Sequence, residues 1–199
     1  MNQRTAVGVA MMVSALLGLT GCLSVKSYVD PELRKVEYAD LLARSERRPL
    51  SVAVQFQRNG EAKSSVNGQV QEKVVKILEA SKLFATVTTT SEGQGLDRLQ
   101  LVLNNVADVD GAVGKGVKTG LTFGASGSLV TDSYVMTATF LRPGKVAVEK
   151  TYRHALHSTI GNADGPPNLQ PMGTPEAFDK VLEGLMLNLI LDLQKEERL

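Results

Sequence analysis

One thiol, two imidazoles and one glycine-rich stretch are the places in this 199-residue chain where chemistry could start. Cys22 is the sole cysteine and follows Leu19, Thr20 and Gly21 at the end of an apolar run. His154 and His157 are the only histidines, with Asp164 shortly downstream. On a strand, residues three apart point to opposite faces, so the two rings converge on one metal ion only if the strand bulges. Val146, Val148 and Tyr152 mark that segment as strand. The run His157, Ser158, Thr159, Ile160, Gly161, Asn162, Ala163 and Asp164 reads as a polar loop, in which Asp164 could complete a site with His157. Turn-forming hydrogen bonds are the plainer reading of the same residues.

Other chemistries fail on spacing. Gly124, Ala125, Ser126, Gly127 and Ser128 lack the closing glycine of a G-x-S-x-G nucleophile turn. Neither a P-loop nor G-x-G-x-x-G occurs around Gly114, Lys115, Gly116 and Lys118. No catalytic residue, metal ligand set or nucleotide cofactor is therefore assigned. With 22 basic and 21 acidic residues the chain has no basic footprint for nucleic acid. The absence of Trp weakens a glycan-binding groove, where flat aromatic platforms usually help.

Six of the 18 glycines fall between Gly111 and Gly127, and Gly116, Gly120 and Gly124 are spaced four apart. On a helix all three would share one face, which with Leu121 and Phe123 suits self-association or contact with lipid. The competing reading is a pliable connection between strands, because each glycine opposes helix by about 1 kcal/mol relative to alanine.

The sequence Leu19-Thr20-Gly21-Cys22 resembles the lipobox of bacterial lipoproteins. Arg4 before an uncharged stretch over 6–19 completes a signal-peptide pattern, and that stretch is shorter than the roughly 20 apolar residues of a membrane span. The resemblance implies cleavage between Gly21 and Cys22, acyl chains on Cys22, and attachment to a membrane through lipid alone. Several chains hold firmly where a single one holds marginally. It also consumes the only thiol, leaving none for a disulfide, a zinc-thiolate site or a nucleophile. Leu23, where enteric inner-membrane lipoproteins commonly carry Asp, implies the outer membrane, facing the periplasm.

Residues 1–21 are thus expected to be a signal peptide and 22–49 an acylated, partly helical tether, with Asp30 and Pro31 as helix start. Residues 50–199 are expected to form one domain, with a glycine-rich insertion at 111–128. Leu50, Val52, Val54 and Phe56 alternate with Ser51, Ala53, Gln55 and Gln57, the period of a half-buried strand. Val66, Val70, Val74, Ile77 and Leu78 follow at helical spacing. Strands are expected again over 84–90, 99–103 and 134–140, then a type II turn at Arg142, Pro143, Gly144 and Lys145, and a returning strand over 146–156. Thr174 and Pro175 open a final helix with Phe178, Val181, Leu182, Leu185, Leu189 and Leu193 on its buried stripe. Leu187 and Leu191 lie off that stripe, to widen the core or face a partner.

This order predicts an α/β (α+β) two-layer sandwich: a mixed, largely antiparallel sheet of about five strands with two amphipathic helices on one face. In element order, and in the Ser81-Lys82-Leu83-Phe84 segment after the first helix, it resembles the periplasmic α/β domains of penicillin-binding-protein activator lipoproteins, of the Tol-Pal translocation protein and of polysaccharide or curli export lipoproteins. That resemblance implies a non-enzymatic binding or assembly accessory of the cell envelope with a protein partner. A homo-oligomer packed through the glycine-rich segment is the alternative, and a hydrolase or metal-binding protein using residues 154–164 the third.

Overall fold

Leu50, Val52 and Val54 are buried while Ala53 and Gln55 are exposed, so the alternation in sequence becomes two faces of a sheet. The computed structural model describes residues 25–90, 95–107 and 128–199. The strands are β1 (Val25–Val29), β2 (Arg48–Arg58), β3 (Glu61–Ala62), β4 (Phe84–Thr88), β5 (Asp97–Ala107), β6 (Ser128–Leu141) and β7 (Val148–Ile160). The helices are α1 (Ser64–Ala80) and α2 (Thr174–Lys195). Strand order is β1-β7-β6-β5-β2-β3, with β4 also paired to β2. Only the β2–β4 and β2–β5 pairs are parallel. The expected sandwich is present, with seven strands instead of about five.

Both helices pack on one face. Val70, Val74, Ile77 and Leu78 of α1 join Val181, Leu182, Leu185, Met186, Leu189 and Ile190 of α2 and the inward residues of β2, β5 and β6 in one core. The other face carries uncharged rows such as Gln55, Val102, Thr137 and Thr151, aligned across four strands. The type II turn forms as the sequence predicts: Lys145 N–H donates to the Arg142 carbonyl (3.0 Å), and Gly144 takes the positive φ of 78°. Where β2 has a free stretch between β3 and β4, side chains of α1 take the place of a strand. Val54 N–H donates to Gln71 Oε1 (3.3 Å) and Phe56 N–H to Asn67 Oδ1 (2.8 Å). An otherwise open edge, the usual template for aggregation, is thereby closed.

The main departure is the segment read as a tether. It is not helical beyond a single 3-10 turn at Tyr38–Asp40, and its start is a sheet strand. β1 pairs antiparallel with β7, from Val25 opposite Ile160 to Val29 opposite Leu156. Asp30 starts no helix: its Oδ1 accepts from Glu32 N–H (2.7 Å), a local turn. The chain then runs as a strap across α2. Arg34 Nε donates to Asn188 Oδ1 (3.0 Å), and Asn188 Nδ2 donates to the Arg34 and Gly184 carbonyls (2.8 Å each). Farther along, Leu42 N–H donates to Gln194 Oε1 (3.0 Å) and Gln194 Nε2 to the Leu42 carbonyl (2.6 Å). Beneath the strap Val36 covers Leu187 and Leu191 in a second small cluster, which accounts for the two leucines off the main stripe. A local propensity for helix lost here to partners supplied by a distant helix.

Among the described residues, no helix is long and apolar enough to cross a membrane. Cys22 with its flanking Leu19, Thr20 and Gly21, and the glycine-rich stretch with Gly116, Gly120, Leu121, Phe123 and Gly124, lie outside the described residues.

Candidate functional site

Two polar assemblies form where β1 meets β7, one on each face of the sheet. On the helix face, Ser27 is fully buried and its Oγ meets Ser158 Oγ (2.9 Å) and Thr174 Oγ1 (2.8 Å). The hydroxyl expected to cap α2 is instead committed to β1, and Gly173 holds the cap position. Paired N–H···O bonds between Ser27 and Met172 (2.9 Å each) complete the clasp. On the opposite face, Tyr28, His157 and Thr131 stand side by side across three strands. His157 Nδ1 lies 2.8 Å from Thr131 Oγ1, and Nε2 lies 3.0 Å from Asp30 Oδ2.

Hydroxyl, imidazole and carboxylate in that order are the parts of an activated nucleophile. Their setting here is that of a structural ladder. Thr131 is 9% exposed, in a strand paired on both sides, and the chain beyond β7 folds over the row. Gly165 lies so close to the Tyr28 ring that a Cβ there would stand 2.3 Å from Cζ. The carboxylate partner of His157 is Asp30 rather than Asp164, which is exposed, as is Asn162. His157, Ser158 and Thr159 belong to β7, so the expected polar loop begins only at Gly161.

His154 points to the other face, as the spacing requires, and lines a cleft of about 760 Å³ between the strap and α2. The floor is formed by Val29, Leu33, Val36, Gly184 and Leu187. The rim carries Arg34, Lys35 and Lys180 against Asp30, Glu37 and Glu183, a balanced set that selects neither anions nor cations by charge. Burial pushes the His154 pKa below its usual value, and its Nδ1 is buried with no hydrogen-bond partner among the described residues. Burial, then hydrogen bonding to Glu183, pushes the Tyr38 hydroxyl up to about 12, so it acts as a neutral donor. Farther along α2, Asp192 accepts from Arg34 Nη2 (2.9 Å) and Tyr152 Oη (2.8 Å). Burial pushes Asp192 up, but those two hydrogen bonds outweigh it and hold the carboxyl below its ordinary range.

Among the described residues, no group of three or more His, Cys, Asp or Glu could hold a metal ion. The sequence reading singled out His157 and Ser158 but missed Asp30 and Thr131, which pattern alone does not connect to them. It also missed the strap cleft, whose walls lie some 150 residues apart in the chain.

No protein-family model matches the sequence, and no curated protein matches it. Several solved structures match at low similarity. One is a homolog of neuraminyllactose-binding hemagglutinin from Helicobacter pylori, at 12% identity, covering 84% of this chain and 90% of that one with a TM-score of 0.46. Another is rare lipoprotein B from Shewanella oneidensis, at 11% identity, 75% and 93% coverage and a TM-score of 0.36. A third is a PelC dodecamer from Paraburkholderia phytofirmans, at 11% identity, 83% and 98% coverage and a TM-score of 0.35. At these identities and scores none of them bears on function.

Proposed function

We propose that this chain is a lipid-anchored, non-enzymatic lipoprotein of the bacterial outer membrane, facing the periplasm and serving as a binding or assembly accessory for an envelope protein partner. The observation that carries the reading is the Leu19-Thr20-Gly21-Cys22 sequence, with a sheet strand starting three residues after the cysteine. A coil of the expected tether length, 27 residues, would average roughly 30 Å end to end. With β1 starting at Val25, the link is instead three Cα steps, at most about 10 Å. The domain is then held against the bilayer, and its partner is a protein met at that surface.

The sheet register supports the same orientation. Val25 is opposite Ile160, and Ile160 is opposite Ser128, so these positions are about 10 Å apart across two strand spacings. Ala107, at the other described flank of the glycine-rich stretch, ends β5 toward that same end. A stretch entered and left beside the anchor is where neighbouring anchored copies would meet. This favours self-association through Gly116, Gly120 and Gly124 as the second reading.

Growth with an alkyne-tagged palmitate, followed by membrane fractionation and native mass measurement, tests both readings. Label on the wild type in the outer-membrane fraction and none on Cys22→Ser is expected. Label that survives Cys22→Ser would overturn the anchor, and label in the inner-membrane fraction would overturn the placement. A monomeric native mass for the lipidated protein would remove self-association.

A further inference from the structure

At the end of the sheet opposite Val25, three arginines lie around one buried carboxylate, and two further basic side chains line a cavity shared with one of them. Asp97 is fully buried at the start of β5. Its Oδ1 accepts from Arg48 Nε (3.1 Å), and its Oδ2 accepts from Arg142 Nη2 (3.1 Å) and Nε (3.3 Å). Arg48 Nη2 also donates to the Gly95 carbonyl (3.0 Å). Both carboxylate oxygens are therefore taken by two guanidinium groups, and one negative charge already serves two positive ones.

Arg44 adds a third. Burial, and next the charge of Arg142, work against its own charge. The clasp between Leu42 and Gln194 brings this part of the strap to the last turn of α2, beyond which lies Arg198. Arg198 in turn lines a cavity of about 230 Å³ together with Arg142, Lys145, Glu196 and Glu197. Arg44 Nη1 and Arg198 Nε are both buried with no hydrogen-bond partner among the described residues. Of the neighbouring carboxylates, Glu196 is engaged by Lys150, and Glu46 and Glu197 are exposed. Cations exceed anions here, and buried guanidinium N–H groups lack acceptors, a costly arrangement unless another acceptor is supplied. Planar N–H forks of this kind match the paired oxygens of a carboxylate or phosphate.

We propose that the pocket lined by Arg142, Lys145 and Arg198 is a binding site for a single oxyanion, a phosphate or carboxylate group. The site stands independently of how the chain is anchored. β6, whose 14 residues run the length of the sheet, places it roughly 40 Å from the β1 end.

The test measures the thermal midpoint of the full chain in inorganic phosphate, in glutarate and in chloride at matched ionic strength. Phosphate or glutarate is expected to raise Tm saturably, by about 3 °C at ten times its Kd. Arg198→Gln is expected to abolish the rise, while Arg153→Gln, on the opposite face of the sheet, keeps it. A rise with phosphate alone assigns a phosphate site, and a rise with glutarate alone a carboxylate site. Equal rises mean that charge and size suffice. Neither anion exceeding chloride, or an undiminished rise in Arg198→Gln, would overturn the proposal. If Arg198→Gln does not fold, phenylglyoxal labelling of the wild type decides the matter. Phosphate should protect Arg198, and equal labelling of Arg198 with and without it would refute the site.

Discussion

Where β1 begins, Ser27, Ser158 and Thr174 share neutral hydroxyl bonds, whereas at the opposite end Asp97 lies buried between Arg48 and Arg142. Both ends bury polar groups beside the same core, yet they respond differently to damage. A hydroxyl that loses its neighbour can turn to another acceptor, and the net worth of each such bond is about 1 kcal/mol. A buried carboxylate that disappears leaves two guanidinium groups facing each other, with a third nearby. The neutral end joins elements together, and the ionic end depends on every member being present.

The comparison is tested most severely at Asp97. Asp97→Ala should cost about 3–5 kcal/mol in chemical denaturation, because the arginines become uncompensated. A loss below 1 kcal/mol would mean that solvent already reaches the cluster. Ser27→Ala should cost less, about 1–2 kcal/mol, since it removes two hydroxyl bonds and leaves Ser158 and Thr174 able to reorient. If the two losses were equal, the contrast between the ends would collapse.

The smallest effect concerns His154, between those ends. Its folded-state pKa lies below the ordinary 6.5 because burial disfavours the cation. The unfolded chain therefore binds a proton that the folded chain resists, so stability is fully present above 6.5 and is lost as pH falls below it. Thermal midpoints followed from neutral to mildly acidic pH should drop more for the wild type than for His154→Gln. The other titrating groups are common to both chains, so parallel curves would refute the assignment.

What the sequence reveals divides along the same line. The stripe at Val70, Val74, Ile77 and Leu78 and the alternation at Leu99, Leu101 and Leu103 are local, and the helix and strand follow from period alone. β1 is not legible in this way. Val25, Lys26, Ser27, Tyr28 and Val29 have no clear polar face, and the strand exists because β7 offers an edge, α2 offers Thr174 and the segment before α2 offers Met172. The arginines around Asp97 come from positions 44, 48 and 142, and the pocket beside them draws on 142, 145 and 198, which no spacing rule joins. Arg48 sits in what reads locally as a solvated charge run, yet it closes one end of the core. The His157 site was half legible: the imidazole can be read directly, but its place in β7 was read as loop, and the carboxylate at Asp30 arrives through a pairing 127 residues away.

That long-range pairing also sets an order of events. In a chain that emerges amino end first, β1 is among the earliest segments to appear, yet Ser27 meets Ser158 only across 131 residues. The strap waits as long for Asn188 and Gln194. Until the last strand and last helix have emerged, residues 25–47 have nothing to close against. Once β7 and α2 arrive, the sheet closes to within three residues of the cysteine. For the acylation proposed at Cys22, completion of the fold would act as a clock: anything that hastens the pairing of β1 with β7 would shorten the time before the sheet closes beside that residue.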